Sequence, residues 1–85
     1  MMEPLVLDVR DDLRRGVEPF PKIMAAVGRL APGQALVLIA PFEPRPLYHV
    51  LAAQGFRHEA EEIEERHWRV KFFRIQAKDP STARP

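Results

Sequence analysis

The chain has 85 residues, 46% hydrophobic and 29% charged, with no cysteine and a formal net charge of +1. That length supports one domain burying about 60% of its unfolded surface, which excludes a second core and a deep private cleft. Without cysteine there is no disulfide, thiolate nucleophile or zinc-thiolate site, and the near-zero charge gives no electrostatic case for nucleic acid.

In chain order, Leu5 to Val9 is read as the first strand, with Leu5, Leu7 and Val9 on one face and Val6, Asp8 and Arg10 on the other. Asp11 to Gly16 is predicted to be a mobile charged loop, with Gly16 supplying positive φ for the turn that follows. Pro19 and Pro21 then mark a helix start, because the amides of a first turn have no intrahelical partner and proline lacks one anyway. The helix is predicted over Ile23 to Leu30, with Phe20, Ile23, Met24, Val27 and Leu30 as its apolar stripe and Lys22 and Arg29 pointing outward. Ala31-Pro32-Gly33 stops it.

Ala35 to Ala40 is apolar on both faces, as expected of a central strand. Pro41 to Pro46 is a stiff turn, and Pro46 is placed in the first turn of a second helix with Leu47, Val50 and Leu51 inward and Gly55 as its left-handed cap. Phe56 to Arg74 contains two strands. Pairing Trp68, Val70 and Phe72 with Phe56, His58 and Ala60 on one face puts Arg57, Glu59 and Glu61 opposite Arg69, Lys71 or His67 on the other, where opposite charges meet. The hairpin turn then falls around Glu62 to Arg66.

The predicted fold is α+β, a two-layer sandwich of order β-α-β-α-β-β in which both helices cover one face of a four-stranded mixed sheet. It occupies residues 1–75, and the polar, proline-bearing residues 76–85 read as a disordered tail. No apolar run reaches the roughly 18 residues of a membrane span. The Met1-Met2-Glu3-Pro4 start lacks the basic and apolar regions of a signal peptide, so the cytoplasm is the expected compartment.

Several short pieces in fixed order carry a resemblance: Leu7-Asp8-Val9-Arg10, Glu18-Pro19-Phe20-Pro21, Ala31-Pro32-Gly33-Gln34, Pro44-Arg45-Pro46-Leu47-Tyr48, Gly55-Phe56 and Trp68-Arg69-Val70. Over about Leu7 to Phe73 the chain resembles the TusA-like (SirA-like) superfamily, in particular the branch known only as a domain of unknown function. The resemblance implies the same β-α-β-α-β-β sandwich. Sulfur carriers of that superfamily open the first helix with Cys-Pro-x-Pro, whose thiolate carries a persulfide. Here Glu18 stands in place of that cysteine, and a carboxylate cannot hold a persulfide.

The leading functional expectation is therefore a non-catalytic module that binds a protein partner or a small anionic ligand at the edge where both helices start. Its candidate residues are Arg10, Glu18, Pro19, Phe20, Pro21, Lys22, Arg45 and Tyr48. In a sheet whose first strands are parallel, both strand ends and both helix starts emerge at one edge, and an arginine at each start suits a carboxylate or phosphate. Glu18 and Lys22, spaced i, i+4, read first as helix-terminus electrostatics. Two alternatives stand beside this: an enzyme using Glu18 as acid or base, and an RNA-binding module using Arg69, Lys71, Phe73 and Arg74, beside which Glu59 and Glu61 compensate the charge.

His49, His58 and His67 recur nine residues apart, a spacing that matches no recognised metal site, so neither a metal nor a cofactor is expected. Glu59 to Glu65 reads as a solvated charged hairpin. The sheet face away from the helices would carry Val6, Val37, Ile39, Phe73 and Ile75, which makes Val37, Ile39 and Phe73 candidates for a homodimer or partner interface.

Overall fold

A computed structural model describes residues 3–74. Its elements are β1 (Leu5–Asp8), α1 (Arg10–Arg14), α2 (Phe20–Gly28), β2 (Leu36–Ala40), α3 (Arg45–Ala52), β3 (Phe56–Glu64) and β4 (His67–Arg74). The strands form one mixed sheet in the order β1-β2-β4-β3, with β1 parallel to β2 and the other neighbours antiparallel. Helix α2 packs on β1 and α3 on β3. Leu36, Leu38, Ala40, Val70 and Phe72 from the sheet meet Ile23, Ala26, Leu47 and Leu51 from the helices in a single buried core. The fold is the expected two-layer α+β sandwich. Ile75 and the expected tail over 76–85 lie outside the described residues.

The strand order, settled only in the assembled sheet, suits the composition of its strands. A strand with neighbours on both sides needs apolar groups, and β4 supplies Val70 and Phe72 beneath the helices. Strand β3, with five glutamates at Glu59, Glu61, Glu62, Glu64 and the adjoining Glu65, suits an edge where charge discourages further pairing. Its register on β4 pairs His58 with Phe72, Ala60 with Val70, Glu59 with Lys71 and Glu61 with Arg69. The residues on each face are those predicted, but a turn over Glu62 to Arg66 would have set Glu61 against His67, so every pairing lies two residues further along β4 than predicted because the turn is tighter. A bulge between Glu62 and Glu64 carries β3 further than predicted. The reversal narrows to Glu65 and Arg66, and Arg66 takes φ 63°.

Two further expectations need correction. The segment predicted as a mobile loop contains helix α1. Asp11 and Asp12 occupy its positive first turn, and Asp11 pairs with Arg14 and Arg15 one turn on. Asp12 is only 8% exposed. Charge density alone suggested solvent, whereas Leu13 at helical spacing turns one side of the segment onto the core. Helix α2 also begins at Phe20 rather than Ile23 and ends at Gly28 rather than Leu30. Pro19 caps it and Pro21 is its second residue, so the prolines mark the helix start as expected and only the bounds move.

Candidate functional site

Helices α2 and α3 start in the same way. Pro19-Phe20-Pro21 and Pro44-Arg45-Pro46 each place one proline at the cap and one at the second helical position, with no side-chain cap at either. Parallel pairing of β1 with β2 carries both starts to the edge at the strands' C-terminal ends. Between them lies a pocket of about 130 Å³ with an almost wholly apolar lining. Val9, Ile23, Leu38 and Ala40, all buried, close its base. Leu13, Pro19, Phe20, Phe42, Pro44 and Pro46 surround it. Phe20 is 39% and Phe42 52% exposed, an unusual amount for two phenylalanines beside one recess.

Beside this pocket, and sharing Leu13 and Phe42 with it, runs an open polar groove of about 720 Å³ lined by Asp8, Arg10, Asp11, Arg14, Pro41 and Arg66. Arg10 donates from Nε and Nη2 to the two carboxylate oxygens of Asp8 at 3.1 and 2.9 Å, and its backbone N–H donates to Oδ1 at 3.0 Å. The Arg10 guanidinium holds the Asp8 carboxyl below the usual carboxylate range.

The other candidate cations are also paired. Arg45 Nε donates to Glu43 Oε1 at 2.9 Å, and the Tyr48 hydroxyl donates to Glu43 Oε2 at 3.1 Å. Lys22 Nζ lies 3.0 Å from Asp12 Oδ2 and so ties α2 to α1; it engages Asp12 rather than Glu18, the helical neighbour expected from the sequence. Glu18 itself is exposed, with no hydrogen bond or ion pair among the described residues. The start of α3 is less open than that of α2: Arg45 N–H donates to the Glu43 carbonyl and Leu47 N–H to the Pro44 carbonyl.

The structure therefore gathers Pro19 and Phe20 at the pocket, sets Arg10 in the adjoining groove, and places Arg45 and Tyr48 around Glu43. Tyr48 turns away from the pocket to stack on His58, with ring centroids 3.6 Å apart and planes 8° from parallel. Burial, and then the bond to Glu43, push its phenol up to about 12. Pro21 is exposed and contributes helix geometry rather than pocket lining. Phe42, Leu13, Asp12 and Arg66 escaped sequence reasoning. Of these, Phe42 carries a local signal, an aromatic residue between Pro41 and Pro44 just past a strand end.

Among the described residues no group of three or more His, Asp or Glu side chains is placed to hold a metal. His67 lies 3.9 Å from Glu64, while His58 is occupied by Tyr48. No helix among the described residues is long and apolar enough to cross a membrane.

Comparison with known proteins places residues 6–74 within a family described as an uncharacterised conserved protein, DUF2249. No curated protein and no solved structure matches the chain.

Proposed function

The chain belongs to the DUF2249 family of uncharacterised conserved proteins, and on that premise we propose that it is a non-catalytic, TusA-like binding module that docks an apolar side chain of a protein partner at the edge where its helices start. The observation that carries this is the apolar pocket with Phe20 and Phe42 exposed at its mouth. Rigid aromatic and proline surface around a small recess is the form of a protein-binding anchor site. A small anionic ligand is less well served, since Arg10 and Arg45 each already bond a carboxylate two residues upstream. Catalysis by Glu18 would need a shielded carboxyl, and Glu18 is exposed. RNA binding along β4 would have to displace the 2.8 Å pair of Arg69 with Glu61 and to accept Glu59 opposite Lys71.

The test is a titration of the isotope-labelled protein with N-acetyl-leucinamide, and in parallel with inorganic phosphate. Amides of Val9, Leu13, Ile23, Ala40 and Leu47 are expected to shift first with the leucine compound, and Phe42→Ser to weaken the response. Shifts led by Phe20 and Lys22 with phosphate, and none at the pocket with leucinamide, would replace protein docking by anion binding.

A second reading concerns the sheet face opposite the helices, which carries Val6, Val37 and Ile39 around a shallow recess bordered by Arg69 and Lys71. Val6 is 56% exposed. Asp8, Ile39 and Arg69 stand in one cross-sheet row. A two-fold axis running along β2 would lay Ile39 on Ile39 of a second copy and the Asp8–Arg10 pair opposite its Arg69–Glu61 pair, an apolar centre with ion pairs around it. This favours a homodimer through Val37 and Ile39, whereas Phe73, the third interface candidate, lines a separate recess beside Leu30 and Gln34.

A further inference from the structure

The polar groove beside the apolar pocket holds three arginines, Arg10, Arg14 and Arg66, against two aspartates, Asp8 and Asp11. Arg10 is engaged by Asp8, and Arg14 by Asp11. Arg66 has no ion-pair partner among the described residues, so of the three arginines lining the groove it is the one not bonded to a carboxylate, although Glu64 on the same hairpin stands near enough to act on Arg10. Arg66 is also the one non-glycine residue among those described with positive φ, at the tip of the β3–β4 hairpin. Its side chain reaches the groove from an element remote in sequence from the other arginines.

Leu13 and Phe42 line both the groove and the apolar pocket, so the two recesses adjoin across these side chains. A segment that seats an apolar side chain in the pocket must leave past Leu13 and Phe42, and one way out leads over the groove. Resting on the docking reading above, we propose that the partner segment carries a carboxylate close to its apolar anchor and that Arg66 receives it. One unneutralised arginine beside two fixed carboxylates matches a single negative charge. A phosphate dianion or a polyanionic strand would meet Asp8 and Asp11 with too little opposing charge.

The experiment uses capped peptides, acetyl-Leu-Gly-Glu-amide and acetyl-Leu-Gly-Gly-Glu-amide, each against its counterpart with Gln in place of Glu, titrated into the full chain and into Arg66→Asn. Asparagine removes the cation while tolerating the left-handed backbone at that position. For at least one spacer the Glu peptide is expected to bind the wild type about threefold more tightly than its Gln counterpart at low salt. That ratio should fall towards one in Arg66→Asn and in high salt. Equal binding of Glu and Gln peptides by the wild type at both spacers overturns the carboxylate while leaving the apolar pocket standing. A preference for Glu that survives Arg66→Asn overturns the role of Arg66. Failure of every leucine peptide to shift the pocket amides overturns the docking reading and this inference with it.

Discussion

Tyr48 is the only tyrosine in the chain, so its ionisation can be followed without ambiguity in the ultraviolet tyrosinate band. Burial and the hydrogen bond to Glu43 push it up to about 12, above the ordinary value of about 10 for an exposed phenol. A folded-state value above the unfolded one means the folded protein holds this proton more tightly. The associated stability is present in full below about pH 10 and is lost as pH rises through the folded midpoint. We expect a tyrosinate midpoint near 12 in the folded protein, lowered by Glu43→Gln, which keeps the shape of the side chain but removes its charge. A midpoint already near 10 in the wild type would mean that Glu43 and His58 do not enclose the ring. Asp8 has the opposite sign. Its folded value is depressed by Arg10, so that contribution is present above the ordinary carboxylate range and is lost as pH falls through the folded value.

At the scale of elements, α1 is the piece whose stability depends most on one contact. With five residues it is too short to hold itself in water, and beyond Leu13 on the core its main anchor is the pairing of Asp12 with Lys22 in α2. The Asp12 side chain is 11% exposed and that of Lys22 49%, so removing the lysine leaves a largely buried carboxylate with no cation beside it. Lys22→Met should therefore destabilise the chain by about 1 to 2 kcal/mol, read as a lower urea midpoint at unchanged slope. Amide exchange should rise first over Asp12 to Val17, because the Val17 N–H donates to the Asp12 carbonyl. No change in midpoint would show that the pair contributes as little as an exposed one. Since Leu13 of α1 lines both recesses, the same variant is a check on how far the edge depends on α1.

For the whole molecule, the open prediction is self-association through the face of the sheet that the helices leave uncovered. Its apolar groups lie towards β1 and β2 and its charges towards β4 and β3, where Arg69 and Lys71 stand opposite Glu61 and Glu59. Light scattering over a dilution series is expected to give a dimer mass at high micromolar concentration for the wild type and a monomer for Ile39→Lys. A wild-type monomer throughout would reject the dimer, and an intact dimer in the variant would reject this face. The docking edge lies at the ends of the strands rather than on this face, so leucinamide shifts at the pocket should survive Ile39→Lys.

Much of this fold is legible from the sequence because its determinants are local. The period-two alternation in Leu5 to Val9 and Trp68 to Phe72, the prolines in two helix starts and the charge register of Glu59 and Glu61 against Lys71 and Arg69 act over a few residues or across one hairpin. They determined the four strands, the two main helices and which residues of the hairpin share a face, while the register itself moved by two residues because the turn is tighter than the charges alone indicate. The resemblance to a known family pointed to the same sandwich. Tertiary structure alone decided the rest. The insertion of β4 between β2 and β3 depends on which strand can be flanked on both sides, and that is settled only when all four compete for the core. The charged segment after β1 became helix α1 because Asp12 meets Lys22 and Leu13 meets the core, both outside its own sequence window. The arginines read as anion receptors proved to be bound by carboxylates two residues away, a matter of side-chain direction that spacing does not reveal. The apolar pocket could not have been read at all: Val9 and Leu13, Phe20, and Phe42 with Leu47 belong to separate stretches of chain, and only the parallel pairing of β1 with β2 brings them to one edge.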